Sequence, residues 1–189
     1  MDLDTWWDLI GRARDAAGDR ADDRDPVDDP LPGALVDVLA ALEPPRIADF
    51  AVRLVQVRDT AYLGPLWKAA YLIEGGCGDD GFQDFRDGLI LLGREVFTRA
   101  VADPDSLAQV PLVVRMAREE RGWLGYESLS YLAQDAYLRV LGETGSFTAV
   151  LDGAVSAMEL RARPAGDDWD SEDDAEQRRR LPGLGGRCV

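Results

Sequence analysis

Residues 63–94 read LGPLWKAAYLIEGGCGDDGFQDFRDGLILLGR and divide into a helix, a glycine-rich corner and a second helix. The stretch holds the chain's one lysine, Lys68, one of its five tryptophans and one of its two cysteines. The first helix is expected from about Pro65 to Glu74. Proline suits a first helical position because the N–H it lacks would have had no partner there. Trp67, Tyr71 and Glu74 recur at helical spacing and share a face, beside an apolar stripe of Leu66, Ala70 and Ile73. Gly75 and Gly76 then stop the helix, since a helix end favours the left-handed conformation that glycine accepts.

Asp80 with Gln83 has the spacing of a capping box, and Asp79 and Asp80 both lie where a helix dipole is positive. At 100° per residue, Phe82, Phe85, Leu89, Leu92 and Val96 fall on one side of this second helix. Asp80, Asp84 and Asp87 fall in a stripe on the other, which Leu91 continues, so the far end of the stripe is expected to be covered. Residues 94–102 read as a continuation of the same helix, ended by Asp103-Pro104-Asp105.

The rest of the chain also has helical periodicity. A first helix, 5–17, takes Asp4 or Thr5 as its cap and buries Trp6, Ile10, Ala13 and Ala17, with Trp7 off that stripe. Residues 18–33 are acidic and carry three prolines, and are expected to form a mobile loop. Leu35, Val38, Leu39 and Leu42 mark a short helix, and Pro44-Pro45 opens another on Ile47, Phe50, Leu54 and Val57. Asp105 or Ser106 caps a short turn, and Pro111 begins a helix burying Leu112, Val113, Met116 and Ala117 with a charged side that includes Glu119, Glu120 and Arg121. Residues 126–141 repeat the pattern through Leu129, Leu132, Ala133, Ala136 and Val140, with Gly142 as the stop. A weaker helix, interrupted by Gly153, is expected at 147–161. No strand pattern and no internal repeat is evident. The expectation is an all-α, single-domain bundle of six to eight short helices over 1–163, followed by an acidic and arginine-bearing tail, 164–189, partly docked or disordered.

Composition narrows the function classes. A net charge of −15 opposes nucleic-acid phosphate and anionic lipid, and leaves cations or basic surfaces as partners. The chain has no histidine, which removes Ser-His-Asp and Cys-His catalysis, histidine-ligated metals and a histidine pH switch. Cys77 and Cys188 form no metal or redox motif, so reduced thiols in a cytoplasmic protein are expected. The Met-Asp-Leu-Asp start lacks the features of a signal peptide, and no apolar run approaches a membrane span.

The run LWKAAYLIEGGCGDDGFQDFRDGLILLGREVFTRAVADPDSLA resembles the bacterial domain-of-unknown-function family 4240. So do the opening LDTWWDLI, the later GYESLSYLAQDAYLRVLGETG and the terminal WDSEDDAEQRRRLPGL. The chain departs in having Gly78 in place of serine, Trp6 in place of phenylalanine, and an extra apolar segment near 147–160. The resemblance implies a small helical domain in which Trp169, Leu181 and Leu184 dock, and it implies no reaction.

The candidate site is Trp67, Lys68, Tyr71, Glu74, Asp79, Asp80, Asp84 and Asp87. The bland reading is helix capping and a solvated acidic face. The functional reading is a cation or amine site with Trp67 and Tyr71 as aromatic walls. Lys68 is expected to pair with an aspartate of the next helix. Carboxylates near Lys68 argue against a lysine nucleophile, and Asp79 and Asp80 oppose a reactive Cys77. No catalytic residue, metal ligand or cofactor motif is assigned. The expected function is a non-enzymatic interaction or regulatory module, immunity- or antitoxin-like, covering a basic protein surface. The alternative is a small-molecule or cation binder, enzymatic or not, at the 67–87 helix pair.

Overall fold

The computed structural model describes residues 1–23, 29–119 and 123–188. Among them the fold is all-α, and the one β feature is an isolated parallel bridge between Leu63 and Ala165. No helix among the described residues is long and apolar enough to cross a membrane. The chain packs as two compact units, 1–59 with 127–160 and 60–126 with 161–189.

The first unit is built on α1 (Leu3–Ala17), α2 (Leu31–Ala40), α3 (Pro44–Thr60), α8 (Leu129–Leu141) and α9 (Gly145–Ser156). The cap of α1 is Asp2, two residues before Asp4, the earlier of the two expected caps; its carboxylate accepts the Thr5 N–H at 2.8 Å. Trp6 is fully buried, stacks on Phe50 with ring centroids 5.2 Å apart, and donates its Nε1–H to the Phe50 carbonyl at 3.1 Å. Trp7 meets Trp6 edge-on at 4.8 Å and is also buried, so both tryptophans are packing anchors. Helix α2 begins at Leu31, inside the stretch read as an acidic loop, because Leu31, Leu35 and Leu39 form one buried line. Residues 24–28 of that loop lie outside the described residues, as do Glu120 and Arg121. Gly142 ends α8 at φ 73°, as expected, but Val140 is exposed rather than part of the buried face. Helix α9 passes through Gly153 without a break and buries only Phe147.

The second unit holds α4 (Gly64–Glu74), α5 (Asp79–Leu91), α6 (Arg94–Ala102), a 3-10 turn at Pro104–Gln109, α7 (Pro111–Glu119), α10 (Asp174–Arg180) and α11 (Pro182–Cys188). Gly75 (φ 67°) and Gly76 (φ 129°) end α4, and their N–H groups both reach the Tyr71 carbonyl. Phe82, Phe85 and Leu89 are fully buried, so the apolar side of α5 is the one its periodicity predicts. The expected continuity from α5 into 94–102 does not hold. Gly93 at φ 97° breaks the helix and resets its phase, which puts Phe97 and Ala100 inside and leaves Val96 half-exposed. This break and the two helices of the tail bring the helix count above the six to eight expected.

The tail is held by side chain to backbone bonds. Asp105, expected to cap the 3-10 turn, instead accepts the N–H groups of Gly183 and Leu184, both at 2.9 Å, while Asp103 caps the turn. Leu181 and Leu184 are buried beside this clasp. Gln177, fully buried, accepts the Trp169 Nε1–H at 3.0 Å and donates to the Ser171 carbonyl at 3.1 Å. The expected Asp174–Arg178 pair is present at 3.8 Å, but both side chains are more than half exposed, so it adds little. Asp105→Ala is expected to cost about 1–2 kcal/mol, as loss of a helix cap does, and to speed proteolysis within 181–188. Urea unfolding and limited proteolysis measure both; unchanged cleavage would show that the apolar contacts hold the tail alone.

Candidate functional site

The second unit contains a cavity of about 890 Å³. Trp67, Lys68 and Tyr71 of α4 form one side, with Cys77 from the glycine corner. The segment 161–166, with Asp168 and Ser171, forms the other. The two sides are fastened at the start of α4. Gly64 donates its N–H to the Ala165 carbonyl at 2.8 Å, and Ala165 donates to the Tyr62 carbonyl at 3.0 Å. A Cβ on Gly64 would lie 2.4 Å from the Asp167 carbonyl oxygen, so the close approach requires glycine here.

Trp67 is fixed in place from two directions. Its ring stacks on buried Phe82 at 4.8 Å and 9°, and its Nε1–H donates to the Cys77 carbonyl at 2.8 Å. Arg86, only 9% exposed, lies over both Phe82 (4.9 Å) and Tyr62 (4.7 Å), extending the stack behind the cavity wall. Lys68 pairs with Asp168 at 2.7 Å and donates to Ser171 Oγ at 3.2 Å, rather than pairing with an aspartate of α5. That pair holds the Asp168 carboxyl below the usual carboxylate range, through the hydrogen bond first and the charge of Lys68 second. Burial, with the nearby charges of Glu74 and Asp84, pushes the Cys77 thiol up to about 12, which keeps it protonated and unreactive at neutral pH.

The structure thus separates the eight residues singled out by sequence. Trp67, Lys68 and Tyr71 share the cavity wall, whereas Glu74, Asp79, Asp80, Asp84 and Asp87 do not line it. Asp79 and Asp80 are exposed in the first turn of α5, whose N-cap is Gly78, so the expected Asp80–Gln83 capping box does not form. Helix α5 starts one residue before Asp80, which places that carboxylate inside the helix, past the capping position. Asp84 is half-buried, and its carbonyl accepts the Tyr126 N–H at 2.8 Å. Asp87 is fully buried, so the acidic stripe is covered at its end, together with Leu91. Among the described residues, no three carboxylates or thiols gather closely enough to hold a metal ion.

Glu74 has a different task. Its Oε1 accepts the N–H groups of Leu124 (2.9 Å) and Gly125 (3.2 Å), holding the approach to α8. Its Oε2 is buried with no hydrogen-bond partner among the described residues. Burial lifts the Glu74 carboxyl to about 7, against the two N–H donors and with a further push from Asp84. The folded chain therefore keeps a proton that the unfolded chain loses near 4.5. Stability contributed by this group falls as pH rises from about 4.5 to about 7 and is level above that, a change of about 3 kcal/mol. Glu74→Gln keeps an acceptor oxygen for both N–H groups and cannot ionise. It is expected to be nearly equal to wild type at pH 4.5 and the more stable chain at pH 8 by the whole of that change, about 3 kcal/mol. Urea midpoints at the two pH values test this, and parallel pH curves for the two chains would contradict it.

Sequence reasoning missed Arg161, Arg163, Asp168 and Ser171. They lie about a hundred residues from Lys68, as the Lys68–Ser171 separation of 103 shows, and no local pattern links them. The cavity side chains carry three cations, Lys68, Arg161 and Arg163, against one carboxylate, Asp168.

An all-α chain with a cavity walled by an aromatic helix face and a returning tail is the class of molecule that fold and site define. Residues 1–139 match the family model described as a protein of unknown function (DUF4240), and the chain belongs to that family. No curated protein and no solved structure matches it. The match ends before the 161–171 wall of the cavity and before the terminal WDSEDDAEQRRRLPGL stretch.

Proposed function

We propose that this protein binds a small organic molecule bearing a planar ring in the cavity beside α4. The observation that carries the reading is the cavity itself: about 890 Å³, with Trp67, Tyr71 and the chain's one lysine in its lining. Ligand sites of this size characteristically pair apolar or aromatic walls with a few convergent polar groups. Trp67 is pre-positioned by its stack and hydrogen bond, so little ordering accompanies binding. Catalysis is outside this reading. The test is titration of the full chain with dansylamide, a neutral aromatic probe, followed by energy transfer from tryptophan. Saturable one-to-one binding is expected, weakened ~10-fold by Tyr71→Ala without loss of the thermal transition. A linear, unsaturable signal rejects the reading.

One surface feature supports a second reading, a module that covers a basic protein. Residues 167–174 expose six carboxylates within eight positions. Such a ridge on a chain of net charge −15 favours a cationic partner surface and a soluble cytoplasmic setting. A partner recovered from native lysate at low salt and lost at high salt is the expected result; recovery at neither salt opposes it.

A further inference from the structure

We propose that the cavity selects an anionic ligand, an aromatic or planar molecule carrying a carboxylate, sulfonate or phosphate, which takes Lys68 from Asp168. This deepens the small-molecule reading above and rests on it. It also reverses the ligand charge that the sequence suggests, because the carboxylates expected beside Trp67 and Tyr71 are not in the cavity.

Three observations carry it. First, Lys68 is 15% exposed and already engaged by an anion, the Asp168 carboxylate at 2.7 Å, with Ser171 Oγ at 3.2 Å. Asp168 itself is 82% exposed, so the aspartate reaches in from the solvent side. An ion pair with one partner so exposed is weak, and releasing the aspartate to water costs little. A ligand anion seated in the cavity would meet the same ammonium with less water around it and a stronger interaction.

Second, Arg161 and Arg163 line the side of the cavity opposite Lys68, and Asp168 is the one carboxylate in that lining, so the lining is cationic on balance even when Arg161, which has an interaction of its own, is left out. A chain of net charge −15 repels anions at long range, and a cationic cavity within it runs against that field. A neutral ligand would gain nothing from this arrangement, and an amine would be opposed by it.

Third, Trp67 and Tyr71 add aromatic surface to the lining, and the Trp67 Nε1–H is already given to the Cys77 carbonyl, which suits a ring better than a bare phosphate or sulfate.

Three probes that share one fluorophore separate these terms: dansylglycine (carboxylate), dansylamide (neutral) and dansylcadaverine (primary amine). On the full chain, dansylglycine is expected to bind ~10-fold tighter than dansylamide, with dansylcadaverine weakest. Lys68→Met should remove most of the difference between the first two. Asp168→Asn, which removes the internal competitor, should tighten dansylglycine ~3-fold relative to dansylamide. Equal binding of all three probes overturns the anion preference while the cavity reading stands. Tightest binding of dansylcadaverine overturns it in favour of the carboxylates. Binding of none removes the cavity reading itself, and this inference with it.

Discussion

Gly88→Ala is expected to destabilise the chain by about 3 kcal/mol or more, although alanine is the better helix former by about 1 kcal/mol. Gly88 lies in the last turn of α5 without a positive φ, so glycine has no conformational purpose there. Its purpose is clearance. A Cβ there would lie 1.9 Å from the Leu124 carbonyl oxygen and 2.8 Å from the Leu124 carbonyl carbon. Those are backbone atoms and cannot rotate away, so either α5 or the segment 124–126 must move. Moving the segment breaks the Leu124 and Gly125 bonds to Glu74 and the Tyr126 bond to the Asp84 carbonyl. Urea unfolding measures the loss, and amide exchange at Leu124, Gly125 and Tyr126 locates it. A variant as stable as wild type would show that the segment does not rest on α5.

Phe82→Ala carries the second large effect, about 3–5 kcal/mol, the usual cost of emptying a fully buried phenylalanine site. The ring touches more than the core. It backs Trp67 at 4.8 Å, meets Tyr62 at 6.1 Å and lies under the Arg86 guanidinium at 4.9 Å. Without it Trp67 keeps its bond to the Cys77 carbonyl but loses the surface that sets its plane. Dansylamide affinity is therefore expected to fall together with stability. Phe82→Leu should restore most of the stability and less of the affinity, because leucine refills volume without a flat face. Equal recovery of both would mean that the stack does not orient the cavity wall.

The two variants probe opposite ends of what could be read from the chain alone. Phe82 and Phe85 were placed inside by periodicity, and the glycine corner was placed by the need for a left-handed helix end. The acidic residues are legible in part. Spacing puts Asp80, Asp84 and Asp87 on one stripe with its far end covered beside Leu91, and Asp87 and Leu91 are fully buried, but the Asp80–Gln83 capping box does not form and none of the three lines the cavity. A helical wheel gives direction about an axis and says nothing of which distant segment meets each turn. Gly93 shows the same limit, because one left-handed residue between two good helical runs changed which of Val96 and Phe97 is buried.

By itself the sequence determined that this protein is helical, where α4 stops, which aromatic residues enter the core, and which histidine-dependent chemistries are absent. Each of these follows from composition or from interactions between residues a few positions apart. Only the tertiary structure decided that Lys68 faces Asp168, that 161–166 walls a cavity with Trp67 and Tyr71, and that Glu74 clasps the backbone before α8. Those pairings join segments fifty to a hundred residues apart, as the separations of 50 for Glu74–Leu124 and 103 for Lys68–Ser171 show. They are set by how helices and tail fit together in space, through clearances such as Gly64 against Asp167, and local periodicity carries no record of that fit.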